Sequence, residues 1–106
     1  MPKYLVHAAY TSEGLKGLQK DKASGRKATV SAAIEGLGGK LETMYYTFGD
    51  DDVVVIMEMP DNVSASALSL AVSSSGLVRT KTIPLLTIDE TDKALGKVAK
   101  YKAPGK

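Results

Sequence analysis

The chain contains no cysteine. Disulfides are therefore excluded, and packing, hydrogen bonds or a second subunit must hold the fold. Histidine occurs once, so without thiols a zinc or haem site within one chain is poorly supplied. Neither sign of charge dominates: 14 basic and 12 acidic residues leave a formal charge of +2. That is not the electrostatic footprint of a nucleic-acid-binding protein. No run approaches the ~20 apolar residues needed to cross a bilayer. The first residues, "MPKYLVHAAYTSEG", lack an apolar segment long enough for a signal peptide. The simplest expectation is a cytoplasmic protein with no membrane or nucleic-acid partner and no cofactor.

What is present suits one small folded unit. A chain of 106 residues fits a single domain and buries a smaller share of its surface than a large one does. "KYLVHAAY", Lys3 to Tyr10, alternates in the manner of a strand, with Tyr4, Val6, Ala8 and Tyr10 on one side and Leu5, His7 and Ala9 on the other. Thr11 or Ser12 is placed to cap a helix. That helix is expected to be broken through "LKGLQKDKASG", because Gly17 and Gly25 weaken it. Val30, Ala33, Ile34 and Leu37 then recur at helical spacing, and Gly38-Gly39 ends the helix.

Lys40 to Phe48 and Val53 to Met59 flank the turn "GDDD", which predicts a hairpin. Pro60 ends the second of these strands, and Asp61 or Asn62 caps a further helix. Its expected buried stripe is Val63, Ala67, Leu70 and Ala71, and Gly76 closes it. Leu77 to Leu86 is the last strand, with Pro84 marking an edge or its end. "TIDE" at Thr87 to Glu90 has the form of a capping box for a short helix.

The order β-α-β-β-α-β-α predicts an α+β, ferredoxin-like βαββαβ sandwich. A four-stranded antiparallel sheet would carry helices on one face and an extra helix at the C-terminus. One domain over residues 1–99 and a frayed tail over 100–106 follow. The strand "VVVIMEM" is apolar on both faces, and the helices cover only one. Full burial of each such side chain is worth ~1.5–3 kcal/mol, so a bare patch would be sticky. A second copy packed sheet to sheet about a two-fold axis is the expected cover, giving a dimeric α/β barrel.

"YYTFGDDDVVVIMEMPD", with "LGG" before it and "SGLVRTKTI" after it, resembles the GYD-domain family over Tyr4 to Glu90. The resemblance implies a ferredoxin-like fold and, by likeness to dimeric α/β-barrel proteins, pairing of the open sheet faces. It implies no reaction. The family's glycine–any–tyrosine–aspartate element corresponds here to Gly49-Asp50-Asp51-Asp52. Asp51 stands where the tyrosine would be, so any pocket contact made by that tyrosine is missing.

Several side chains are candidates for chemistry. His7 is a possible acid or base, since its unperturbed pKa is ~6.5; the plainer reading, a half-buried histidine with one partner, is preferred. Glu58 lies in an apolar strand and asks for a reason. It can pair with Arg79 or Lys81, reach water at the strand end, or act as a catalytic carboxylate. Arg79 is the preferred anion contact because its fork grips a carboxylate. Tyr45 and Tyr46 point to opposite faces, so only one of them lines any common cavity, and Tyr10 is a further ligand candidate. The run Asp50-Asp51-Asp52 lacks the spacing of a calcium loop and is expected to be a solvated turn. Lys20, Lys22, Arg26 and Lys27 form a basic patch, expected to be a solvated helix end. No aromatic RNA-binding motif and no phosphate loop occurs.

Three functions compete. The leading expectation is a homodimer or higher homo-oligomer that binds a small organic ligand at or near the sheet-face interface. The second is a small cofactor-free enzyme, monooxygenase- or isomerase-like, using His7 and Glu58 as acid and base. The third is an assembly subunit alone. No nucleophile, base and orienting group emerge together, which favours the first.

Overall fold

The computed structural model describes residues 1–106. Its elements are β1 (Lys3–Tyr10), α1 (Ser12–Gly36), β2 (Lys40–Tyr46), β3 (Val53–Glu58), α2 (Asn62–Ser73), β4 (Val78–Leu85) and α3 (Ile88–Leu95). The strands form one four-stranded sheet in the order β2-β3-β1-β4, and every neighbouring pair is antiparallel. This is the split βαβ arrangement expected of a ferredoxin-like α+β fold. Pro84 lies in β4, at an edge of the sheet, where its missing N–H disturbs no outer ladder.

The period of two in β1 and β3 sorts the side chains. Tyr4, Val6 and Ala8 stand opposite Met57, Val55 and Val53, and all six are buried. Ile34 from α1 and Ala65 and Leu68 from α2 close over them, and Met59 and Val78 complete the core. Ile34, Met57 and Met59 are fully enclosed, each worth about 1.5–3 kcal/mol of burial.

Helix boundaries follow local chemistry. The Thr11 side chain accepts from the Gly14 amide, and the Thr11 amide donates to the Leu77 carbonyl at 2.9 Å. A Cβ on Gly14 would collide with that same carbonyl, so glycine lets α1 start against the entry to β4. Gly38 ends α1 with φ 84°, the left-handed conformation that glycine adopts without strain. The expected break in α1 is present, but it falls at Lys22 (φ 64°, ψ 166°) and not at a glycine. Gly17 and Gly25 stay helical. The first half is tied to Leu77 and the second to the core through Ile34, and the chain turns between the two anchors.

The expected stripe of α2 is corrected. Val63 and Leu70 are 78% and 70% exposed, and Ala67 and Ala71 are exposed too. The buried face instead carries Ala65, Leu68 and half-buried Val72. On the same side, the Ser69 hydroxyl pairs with that of Thr80 on β4 at 2.8 Å. Two overlapping apolar stripes occur in α2. The cap at Asp61 accepts from Ser64 at 2.8 Å, and the serine–threonine contact goes with the Ala65, Leu68 and Val72 stripe against the sheet.

The helices lie on one face of the sheet, and the opposite face is unroofed. The capping box of α3 forms, with Thr87 and Glu90 exchanging hydrogen bonds. However, α3 buries no side chain, and Ile88, Leu95, Val98 and Tyr101 are exposed. The radius of gyration is 16.8 Å, against about 13 Å for a compact chain of this length. The C-terminal segment therefore extends beyond the sandwich.

Candidate functional site

The sheet presents two surfaces, and register decides which candidate residues share one. Cross-strand partners point the same way. On the unroofed side, Tyr45, Val54, His7 and Lys81 form one row across the sheet. Thr43, Ile56, Leu5 and Ile83 form the next, and Lys40, Glu58, Lys3 and Leu85 the third. An apolar centre thus lies between charged ends.

Glu58 does not meet Arg79 or Lys81. It stands opposite Lys3 and Lys40, whereas Arg79 stands opposite Ala9. Six residues of β1 separate Ala9 from Lys3, about 20 Å at ~3.3 Å per residue. The expected glutamate–arginine pair is absent because the two strands place these residues at opposite ends of the sheet. The ammonium of Lys3 instead binds Glu42 at 2.8 Å. That hydrogen bond raises the Lys3 pKa above its ordinary value; desolvation opposes it, and the charges of Glu42 and Glu58 add smaller help.

His7 is also remote from Glu58, by four residues along β1 or about 13 Å. Its close acidic partner is Asp51, with Nδ1 and Oδ2 3.3 Å apart and both side chains mostly shielded. Arg79 is a diagonal neighbour of His7, two residues from Lys81. Tyr45 lies at the end of the same row and is 69% exposed. His7, Asp51, Arg79 and Tyr45 therefore belong to one end of the open face, and Glu58 to the other.

The turn residues have separate tasks. The Asp52 carboxylate accepts from the Tyr10 amide at 2.8 Å, and the Asp52 amide donates to the Ala8 carbonyl at 2.8 Å. Asp52 thus fastens the hairpin to the end of β1, while Asp51 reaches His7. The aspartate run is not only a solvated turn. No three His, Asp or Glu side chains gather as a metal would require.

Tyr10 and Tyr46 lie on the other side, facing the helices. Their hydroxyls are 3.2 Å apart. Burial, and then the hydrogen bond with Tyr10, push the Tyr46 hydroxyl above the usual phenol range, with Arg26 nearby acting in the opposite direction. The four tyrosine and arginine candidates are thus split by the sheet: Arg79 and Tyr45 on one face, Tyr10 and Tyr46 on the other.

Beneath α1 and α2, next to Tyr10, is a cavity of about 100 Å³. Its walls are chiefly apolar, with Val6, Val30, Ile34, Val53 and Val78 among them, and Arg26 at its side. A second space of about 200 Å³ adjoins it and shares Tyr10, Arg26, Val72 and Val78. The Arg26 Nε is buried and has no hydrogen-bond partner. Arg26 is not part of a solvated helix end. It precedes Val30 by four positions and Ile34 by eight, so it continues the apolar face of α1. That spacing was the signal for it in the sequence, hidden by three neighbouring lysines.

No helix is long and apolar enough to cross a membrane. The GYD domain model matches residues 4–95. Neither curated proteins nor solved structures give a match.

Proposed function

Because the chain belongs to the GYD-domain family, whose fold does not prescribe a reaction, we propose from its own geometry that it is a homodimer that binds a small organic molecule. The observation that carries the binding reading is the cavity of about 100 Å³ beneath the helices, apolar except for a few polar groups at its edge. Such a lining is typical of small-molecule sites, although those usually exceed about 300 Å³, which this space approaches only with its neighbour. The ligand space therefore lies one sheet thickness from the expected dimer interface, on the helix side.

The dimer reading is supported by the unroofed face. Leu5, Val54 and Ile56 are only half-covered and Ile83 is 45% exposed. An apolar centre with charged ends suits a two-fold sheet-to-sheet contact. Cytoplasmic placement remains part of the same proposal. Light scattering combined with protein-observed NMR on a cocktail of small apolar compounds tests both halves. A dimer is expected, with shifts at cavity-lining residues such as Val30, Ile34 and Val78. A monomer at every concentration removes the first half, and unshifted cavity resonances remove the second.

A cofactor-free acid–base enzyme is favoured by one observation, the 3.3 Å contact between His7 and Asp51. A carboxylate that orients an imidazole is a common catalytic device. Glu58 has no place in it. Under this reading, His7→Gln abolishes turnover of any substrate found while leaving binding under the helices intact; retained turnover would exclude it.

A further inference from the structure

We propose that the cavity beneath α1 receives an apolar molecule ending in a carboxylate, with Arg26 as its counter-ion. This deepens the binding reading above and rests on it. The guanidinium is charged at every relevant pH. Its Nε is buried without a hydrogen-bond partner, and none of the protein's ion pairs includes it. A buried donor left unmatched is unusual and asks for an acceptor. The planar fork of arginine fits a carboxylate with two parallel hydrogen bonds.

The neighbouring groups agree with an anionic end. Tyr10 and Tyr46 form a hydroxyl pair, so when one O–H donates to the other, the second O–H stays free to donate outward. Most of the remaining walls, such as Val6, Val30 and Val53, suit hydrocarbon; Thr29, Ser69, Thr80 and Thr82 are the polar exceptions, and the Ser69 and Thr80 hydroxyls already pair with each other. Asp21 borders the adjoining space together with Arg26. It is the competing carboxylate within the chain, but it does not come within ion-pair distance of Arg26. Size limits the guest. An apolar cavity of about 150 Å³ holds benzene, so a space of about 100 Å³ with an adjoining 200 Å³ suits a body of roughly six carbons.

The test compares hexanoate with 1-hexanol at constant ionic strength, by calorimetry and by NMR shifts of the methyl groups of Val30, Ile34 and Val78. Hexanoate is expected to bind roughly 10- to 100-fold more tightly, the range for a charge-assisted hydrogen-bonded pair. In Arg26→Gln that preference should disappear while 1-hexanol binds as before, which also shows that the variant is folded. Equal binding of the two compounds by the unaltered protein overturns the proposal without recourse to any variant. A hexanoate preference that survives Arg26→Gln also overturns it. If neither compound moves the cavity methyls, the binding reading itself fails, a result distinct from the other two.

Discussion

Ile56→Asp isolates the role of the unroofed face. Ile56 sits at the centre of that face, opposite Leu5 on one side and Thr43 on the other. It points away from the core, so the substitution leaves the packing of Ile34, Met57 and Met59 untouched. Within the monomer the cost is mainly the poorer strand propensity of aspartate, up to about 1 kcal/mol. Across a two-fold interface the residue counts twice. Ile56 is already half-covered within one chain, so each isoleucine would lose only about 0.5–1 kcal/mol of further burial, about 1–2 kcal/mol for the pair. The larger cost is desolvation of each carboxylate next to its twin, of order a few kcal/mol per ion. The dimer dissociation constant should therefore rise by roughly a hundred- to ten-thousand-fold or more. Sedimentation equilibrium over a wide concentration range measures this, and urea unfolding of the monomer checks the fold. Val63→Asp, on the outward stripe of α2, is the control and should leave dimerisation alone. The reasoning is refuted if the unaltered protein is monomeric throughout, or if Ile56→Asp changes the dissociation constant by less than tenfold.

Four further outcomes are expected. Gly14→Ala should destabilise the domain by about 1–3 kcal/mol, because the added methyl meets the Leu77 carbonyl; urea midpoints report it. Ile34→Ala removes a fully buried side chain that walls the cavity and should cost about 2–5 kcal/mol in the same experiment. Lys22→Gly should do the reverse: relief of the unfavourable backbone at φ 64°, of order 1–3 kcal/mol, exceeds the ~0.5–1 kcal/mol entropic cost of glycine, so a small rise in melting temperature is expected. Asp61 has its pKa held below the ordinary carboxylate value by the backbone amide of Ser64, then by the Ser64 side chain. A group depressed in the folded state stabilises fully above its unfolded pKa and loses that contribution as pH falls through the folded value. The Asp61→Asn variant should therefore lose less stability than the unaltered protein between about pH 5 and the acid limit, as followed by circular dichroism.

Much of the architecture was legible because its causes are local. The alternation of Tyr4, Val6 and Ala8, the caps at Thr11 and Asp61 and the box at Thr87 depend on residues a few positions apart; each forms where the pattern allows, the caps at the first of the two positions offered. The face of α2 was not legible, because Val63–Leu70 and Ala65–Leu68–Val72 are both acceptable helical stripes. Side-chain size does not choose between them, whereas the contact of Ser69 with Thr80 across the gap accompanies the second.

The candidate site was legible only in part. His7, Arg79 and Tyr45 share a face, which the strand register shows and parity within each strand alone does not. Which charges meet depends on how far each strand slides along its neighbour. His7 and Asp51 are far apart in sequence yet close in space, and Glu58 and Arg79 are closer in sequence yet at opposite ends of the sheet.

Taken alone, the order of residues settled the element types, the ferredoxin-like topology and the alternation of β1 and β3, and narrowed each cap to one or two residues, since these arise from backbone geometry and near-neighbour sterics; the bulge between Leu41 and Thr43 that resets the faces of β2 was not among them. The folded molecule alone decided the strand register, the buried side of α2 and the inward placement of Arg26. Those depend on long-range packing, in which side chains distant in sequence must fit the same space.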